Sequence, residues 1–209
     1  GKVGQEFPLD AVPVADPVPV AGGVIVALPS KLSVFGTKFT RVEDFLGTID
    51  KGTEVSWASL ISFDENHVFV VDRTGRITRL QFRTSPSAHL QQVDNVETGQ
   101  PVDVQPILND GRLFVADAAG KVRILDVVGF ERLAEVTLDS PAVGVLGLTG
   151  NLLLVETSSG QLQCLKTDAK LSKAWSIDLQ GDHLTGTPLL ENGQVVIATM
   201  NGRVLALNA

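Results

Sequence analysis

One short phrase recurs along this chain: a glycine, a polar residue, an apolar residue and, five places after the glycine, a leucine. It reads Gly75-Arg-Ile-Thr-Arg-Leu80, Gly120-Lys-Val-Arg-Ile-Leu125, Gly160-Gln-Leu-Gln-Cys-Leu165 and Gly202-Arg-Val-Leu-Ala-Leu207, at spacings of 45, 40 and 42 residues. Self-similarity at that period is the mark of a radial β repeat, in which each unit of four short strands buries its faces against its neighbours.

The strands can be read from what flanks each glycine. Before it lie the apolar runs Val68-Phe-Val-Val71, Leu113-Phe-Val-Ala116, Leu153-Leu-Val-Glu156 and Val195-Val-Ile-Ala198. Turn-forming residues precede these runs: Asp64-Glu-Asn66, Asn109-Asp-Gly111, Thr149-Gly-Asn151 and Glu191-Asn-Gly193. Asn-Gly and Asp-Gly beside apolar runs signal tight hairpins, because the turn needs positive φ. Runs this short and this rich in Val, Leu, Ile and Phe favour buried strands over helices. An outer strand closes each unit at Leu90–Val93, Ala134–Leu138 and Ala174–Leu179. An inner strand opens the next at Trp57–Ile61, Val102–Ile107, Val143–Leu148 and Thr185–Leu190.

A weaker copy occupies the N-terminal region, with Pro17–Val20, Val24–Ala27 and Lys31–Phe35 in the same order and Ser30 in place of the glycine. The expectation is an all-β propeller of five four-stranded blades in a single domain. The blades run approximately over 17–52, 53–99, 100–140, 141–182 and 183–209, and residues 3–11 supply the strand that closes the ring. Closure would remove the free edges that invite aggregation. The same repeats also fit an arc cut from a longer propeller.

Composition narrows the partners. Lys and Arg number 17 against 24 Asp and Glu, a net charge of −7. The basic residues are scattered, which argues against nucleic acid, whose phosphates reward basic stripes. No apolar run approaches the roughly 20 residues that span a bilayer, so no direct membrane insertion is expected in this segment. The lone cysteine, Cys164, excludes an intrachain disulfide and reads as a small buried apolar residue within a strand.

The phrase Asn192-Gly-Gln-Val-Val-Ile-Ala-Thr-Met-Asn-Gly-Arg-Val-Leu-Ala-Leu207 resembles the PQQ-like repeat of quinoprotein alcohol dehydrogenase-like β-propellers. The stretch Cys164-Leu-Lys-Thr-Asp-Ala-Lys-Leu-Ser-Lys-Ala-Trp175 continues it toward that family's Asp, Gly-Lys and Trp, without the glycine and one residue short. The likeness covers residues 17 to 209 and implies the propeller fold. It also implies a bacterial protein placed in the periplasm or outside the cell. Quinone-dependent dehydrogenation, the activity in the family's name, does not follow. Such enzymes use a disulfide between adjacent cysteines, and fold does not carry function. No cofactor is expected, and WD40 blades are disfavoured because no Trp-Asp pair is present.

Site signals are sparse. His67, His89 and His183 stand one per unit without a second ligand at metal-binding spacing. Glu156 is the local anomaly, since Val71, Ala116 and Ala198 hold the same place in other units; a buried carboxylate there needs a partner. A register slip caused by Leu152 would also explain it. In a propeller the loop entering each inner strand and the loop before each repeat glycine meet on one face. Those loops carry Asp50, Asp72, Asp117, Asp139, Asp182 and His183. An acidic mouth could draw a cation or a basic peptide; Asp also suits turns by bonding nearby amides.

The function read from this is a non-enzymatic protein-interaction scaffold with a protein or peptide partner, part of a larger bacterial protein. The alternative is a ligand-binding, ion-binding or enzymatic propeller with its site at the central funnel. There Ser56, Trp57, Asp103, Gln105, Thr185 and Thr187 would converge.

Overall fold

The computed structural model describes residues 4, 6–36, 38, 40–47, 55–168 and 170–208. Among them are 19 strands in five antiparallel sheets, and no helix. The chain divides into two compact units, residues 1–101 and 102–209.

The first unit holds two sheets, each with its strands in chain order. One comprises β1 (Val18–Val20), β2 (Gly23–Leu28), β3 (Lys31–Gly36) and β4 (Arg41–Phe45). The other comprises β5 (Trp57–Ser62), β6 (His67–Asp72), β7 (Arg76–Arg83) and β8 (His89–Glu97). The second unit holds three. Its first sheet is β9 (Ile107–Asn109), β10 (Arg112–Ala116), β11 (Lys121–Asp126) and β12 (Arg132–Thr137). Next comes β13 (Ala142–Thr149), β14 (Leu152–Thr157), β15 (Gln161–Lys166) and β16 (Ser172–Asp178). The fifth sheet has three strands, β17 (Leu189–Glu191), β18 (Gln194–Ala198) and β19 (Val204–Asn208).

Two inner strands are shorter than the apolar pattern suggests. The runs Val102–Ile107 and Thr185–Leu190 form continuous ladders only from Ile107 and from Leu189 onward, with Thr185 donating earlier to the Ala198 carbonyl at 3.0 Å. Pro106 and Pro188 stand immediately before those points, and a proline has no N–H to give a ladder. Val102 and Val104 are buried all the same.

Alternation along each strand decides what packs where, because successive side chains point to opposite faces. In the first unit Ile25, Ala27, Leu32 and Val34 meet Leu60, Val68, Val70 and Leu80 of the second sheet. In β14 the alternation splits the strand between two cores. Leu153 and Val155 join Phe114, Val122 and Ile124 of the third sheet, while Leu152 and Leu154 join Val195 and Ile197 of the fifth.

A bulge recurs at one repeat position. The pairing of third and outer strands shifts between Val34 and Phe35, Arg79 and Leu80, Ile124 and Leu125, and Cys164 and Leu165. Each site lies four to five residues after Ser30 or the repeat glycine. The outer strand carries the extra residue, which leaves the ladder and turns outward. The extra residues are Val42, Val93, Leu133 and Ala174, and the first three account for three of the exposed large apolar side chains.

The segment expected to close a ring, residues 3–11, holds no strand among its described residues. Phe7 instead packs on Phe35 with ring centroids 5.6 Å apart. Asp10 joins Lys31 and Arg41, which also bind Asp44.

Candidate functional site

Every repeat glycine closes the same four-residue turn. The amide of Gly75 donates to the Asp72 carbonyl at 3.1 Å, Gly120 to Asp117 at 3.0 Å, Gly160 to Thr157 at 2.9 Å and Gly202 to Thr199 at 3.0 Å. Their φ angles are +91°, +78°, +76° and +79°, in the left-handed region that glycine enters without a Cβ clash. The glycine carbonyl then accepts an amide from the end of the outer strand: Thr98 at 3.0 Å, Leu138 at 2.7 Å and Leu179 at 2.9 Å.

These bonds stitch the turns of each unit into a continuous edge. In the second unit Ser158 donates to the Pro141 carbonyl and Met200 to that of His183, both at 2.8 Å. Ser140 and Ser159 are joined through their hydroxyls at 2.9 Å. The turns at 117–120, 138–141, 157–160, 179–183 and 199–202 therefore lie side by side. In the first unit Arg73 donates to the Ser56 carbonyl at 2.8 Å and Trp57 to that of Pro29 at 2.9 Å.

The acids on the edges of the two units do different things. Asp72 is buried, and its Oδ1 accepts the amides of Thr74 at 2.8 Å and Arg76 at 3.1 Å and the Thr74 hydroxyl at 2.6 Å. Asp117 is buried likewise and accepts the amides of Ala119 and Lys121, both at 3.0 Å. Its second oxygen takes the Arg123 guanidinium at 2.6 Å, and Arg123 also reaches Glu135 at 2.8 Å. Asp139 is exposed and stands 3.5 Å from Lys173. Asp50 lies outside the described residues.

Asp182 and His183 belong to a denser cluster. The Thr199 hydroxyl foremost, then the amides of His183 and Asn201 and the Arg203 side chain, hold the Asp182 carboxyl down to about 2. Its contacts are 2.9 Å to the His183 amide, 3.1 Å to that of Asn201 and 3.1 Å to Arg203 Nε. Glu156, 1% exposed, sits beneath the same loop. It faces Leu162 across its hairpin, as Val71 faces Ile77, Ala116 faces Val122 and Ala198 faces Val204. The register is thus intact, and the carboxylate does replace an apolar side chain.

Its partners come from the next sheet. One oxygen is hydrogen-bonded to His183 Nδ1 and the other accepts the Leu184 amide at 3.2 Å. Room for the carboxylate comes from Gly144, whose φ is +70° and where a Cβ would stand 3.0 Å from Glu156 Oε2. The Glu156 hydrogen bond, and then its charge, raise the His183 pKa above the ordinary 6.5. This ion pair ties β14 to the loop that enters β17.

A pH dependence follows, with its sign set by that direction. A raised folded pKa contributes stability that is complete below the unfolded value, 6.5, and fades as pH rises through the folded value. The stability gap between the native chain and His183→Ala should therefore be larger at about pH 5 than at about pH 9. Urea unfolding at both ends of the range checks this; a gap that widens with pH contradicts it.

Trp57 is buried against Phe45, with ring centroids 6.4 Å apart. Asp103, Gln105, Thr185 and Thr187 are exposed. His67 bonds Asp64 at 2.9 Å, and His89 bonds the Ser87 carbonyl at 2.8 Å. Cys164 is fully buried, and burial pushes its thiol up to about 11. Among the described residues, no three His, Cys, Asp or Glu side chains gather as a metal site. The Arg123 network with Asp117 and Glu135 has no counterpart in the sequence reading; alternating signs at 117, 123 and 135 were its only trace.

No family model matches the chain. Among curated proteins it is similar to the outer membrane protein assembly factor BamB of Burkholderia pseudomallei, 29% identical over 126 residues, covering 59% of this chain and 32% of the relative. The same factor from Nitrosomonas eutropha is 29% identical over 150 residues, covering 72% and 35%. The chain thus spans about a third of the length of these relatives. Among solved structures, BamB from Moraxella catarrhalis matches with a TM-score of 0.66 at 16% identity, over 96% of this chain and 62% of that one. BBS1N in complex with ARL6DN matches with a TM-score of 0.69 at 18% identity, over 98% and 68%. Raptor from Chaetomium thermophilum gives 0.69 at 14%, over 95% of this chain and 20% of that one. At such identities the structural likenesses speak for the fold. Together with the sequence relatives they bear out the resemblance to PQQ-like β-propeller repeats.

Proposed function

We propose that this chain is a non-enzymatic protein-interaction scaffold that serves outer membrane protein assembly on the periplasmic side of a bacterial envelope. The observation that carries this reading is the sequence likeness to two BamB proteins, whose name states that role. The five sheets are read as five blades of one propeller domain, and whether they close on themselves belongs to the same proposal. The turn geometry supports a scaffold. Backbone bonds hold each turn, and buried Asp72, Asp117 and Asp182 reinforce theirs, so the tips can vary without loss of the frame.

The recognition surface proposed is the turn edge of the second unit. Asp117 and Asp182 hold turns there, and the exposed groups Asp139, His183 and Met200 are left to meet a protein partner.

Affinity capture with the purified chain from a solubilised bacterial envelope tests this. Components of the outer membrane assembly machinery should be retained, and Asp139→Lys with Met200→Glu should reduce their recovery at least several-fold. Retention of none of them, by the native chain or the variant, overturns the reading.

A further inference from the structure

The pair Asn-Gly occurs twice in this chain, at 192–193 and at 201–202. It suits tight turns, because asparagine tolerates positive φ and glycine adopts it freely. The same pair is chemically labile, since a glycine nitrogen has no side chain beside it to hinder attack on the asparagine side chain. Sequence rates the two pairs alike, and both asparagines are exposed. Their backbone hydrogen bonds set them apart.

The pair at 201–202 is clamped. The Gly202 amide donates to the Thr199 carbonyl at 3.0 Å, and the Asn201 amide donates to the buried Asp182 carboxylate at 3.1 Å. On either side of the pair, the Thr199 amide donates to the Arg203 carbonyl at 2.9 Å and the Arg203 amide to Thr199 Oγ1 at 3.2 Å.

The pair at 192–193 is held only at its base. It forms the two-residue turn between β17 and β18, with φ of +50° and +75°, and Glu191 pairs with Gln194 below it. The Gly193 amide lies outside the ladder and makes no hydrogen bond among the described residues. A Cβ on Gly193 would meet nothing within 4 Å. The matching hairpin tips at Asp110-Gly111 and Gly150-Asn151 are exposed too, so the exposure belongs to this position in the repeat.

We infer that Asn192 is a site of spontaneous deamidation, with water as the reagent, and that Asn201 is protected by its turn. The Gly193 nitrogen attacks Asn192 Cγ. A C–N bond forms, the bond from Cγ to the side-chain nitrogen breaks, and that nitrogen leaves as ammonia with the Gly193 proton, closing a cyclic imide. Water then adds to one of the two imide carbonyl carbons and breaks its bond to the ring nitrogen. Opening at the side-chain carbonyl leaves aspartate; opening at the main-chain carbonyl leaves isoaspartate, with an extra methylene in the backbone. A two-residue turn lengthened in this way no longer sets Glu191 opposite Gln194, so β17 loosens from β18. At 201–202 the same attack has first to break the Gly202 bond to Thr199 and the Asn201 bond to Asp182, so it waits on local opening of the turn. The inference concerns a hairpin tip and is independent of the scaffold reading, which concerns the turn edge.

Ageing the purified chain in mildly alkaline buffer tests it. Tandem mass spectrometry of the tryptic peptide 174–203, which holds both pairs, places the amide-to-acid mass gain at one asparagine or the other. In the folded chain Asn192 should convert at least several-fold faster than Asn201. In guanidinium chloride that unfolds the chain the two rates should converge, since both pairs are then free. Asp182→Ala, which removes the acceptor of the Asn201 amide, should raise the Asn201 rate and leave that of Asn192 unchanged. Equal rates in the folded chain overturn the inference. So does a difference that persists in denaturant, which would place its cause in the neighbouring sequence, and so does an Asn192 that stays intact while the chain is folded.

Discussion

Leu154→Ala is expected to lower the unfolding free energy of the second unit by about 2–5 kcal/mol, with the higher half of that range favoured by its surroundings. Leu154 is fully buried at the centre of β14, paired with Gly147 on one side and Cys164 on the other. Its side chain meets the fifth sheet among Leu162, Leu184, Val195 and Ile197. Sheets on both sides of β14 are rigid ladders, so the space left by three lost carbons cannot collapse, and the cavity cost adds to the lost transfer energy. Urea unfolding followed by circular dichroism reads the change. Leu133→Ala, at an exposed bulge position, should change stability by no more than about 0.5 kcal/mol. Equal effects at the two positions would mean that the seam between the fourth and fifth sheets is not a packed core. Where the chain unfolds in more than one transition, the comparison uses the one that the substitutions shift.

Gly75→Ala should cost about 3 kcal/mol or more, against about 1 kcal/mol for Gly160→Ala. Both glycines close the same turn at positive φ, +91° and +76°. They differ in what lies beyond the missing side chain. A Cβ on Gly75 would fall 1.9 Å from the Gln100 carbonyl oxygen and 2.4 Å from Thr98 Oγ1, whereas nothing stands within 4 Å of one on Gly160. The Gln100 carbonyl is main chain, held where Thr98 bonds back to Gly75, so relief requires moving the exit of β8. Thermal unfolding of the two variants separates the cost of the backbone conformation from the cost of close approach. Equal losses would show that conformation alone governs the turn.

These two substitutions also show which parts of the structure were open to a reading of the chain. The place of Leu154 followed from four-residue apolar runs and their distance to the next glycine. The left-handed turns followed from the glycines themselves. Both are local: a period of two sorts faces, and a turn geometry selects its residue within four positions. Glu156 was legible as an anomaly for the same reason, because its register is fixed by its own hairpin.

What bonds Glu156 was not legible. His183 is 27 positions away, and only the packing of the fourth sheet on the loop entering the fifth brings its ring to the carboxylate. The acidic loop residues show the same limit. Sequence placed Asp72, Asp117 and Asp182 in turns beside one another, but whether each faces water or its own backbone depended on side-chain burial, which adjacent strands decide. The N-terminal segment is the third case. Its apolar residues suit a strand, yet Phe7 finds Phe35 and an apolar face already formed, and burial outcompetes pairing. The sequence by itself therefore determined the repeat, its turns and its register, which are interactions within one hairpin. The tertiary structure alone decided the ion pairs and the two units, because those depend on which surfaces the folded sheets bring together.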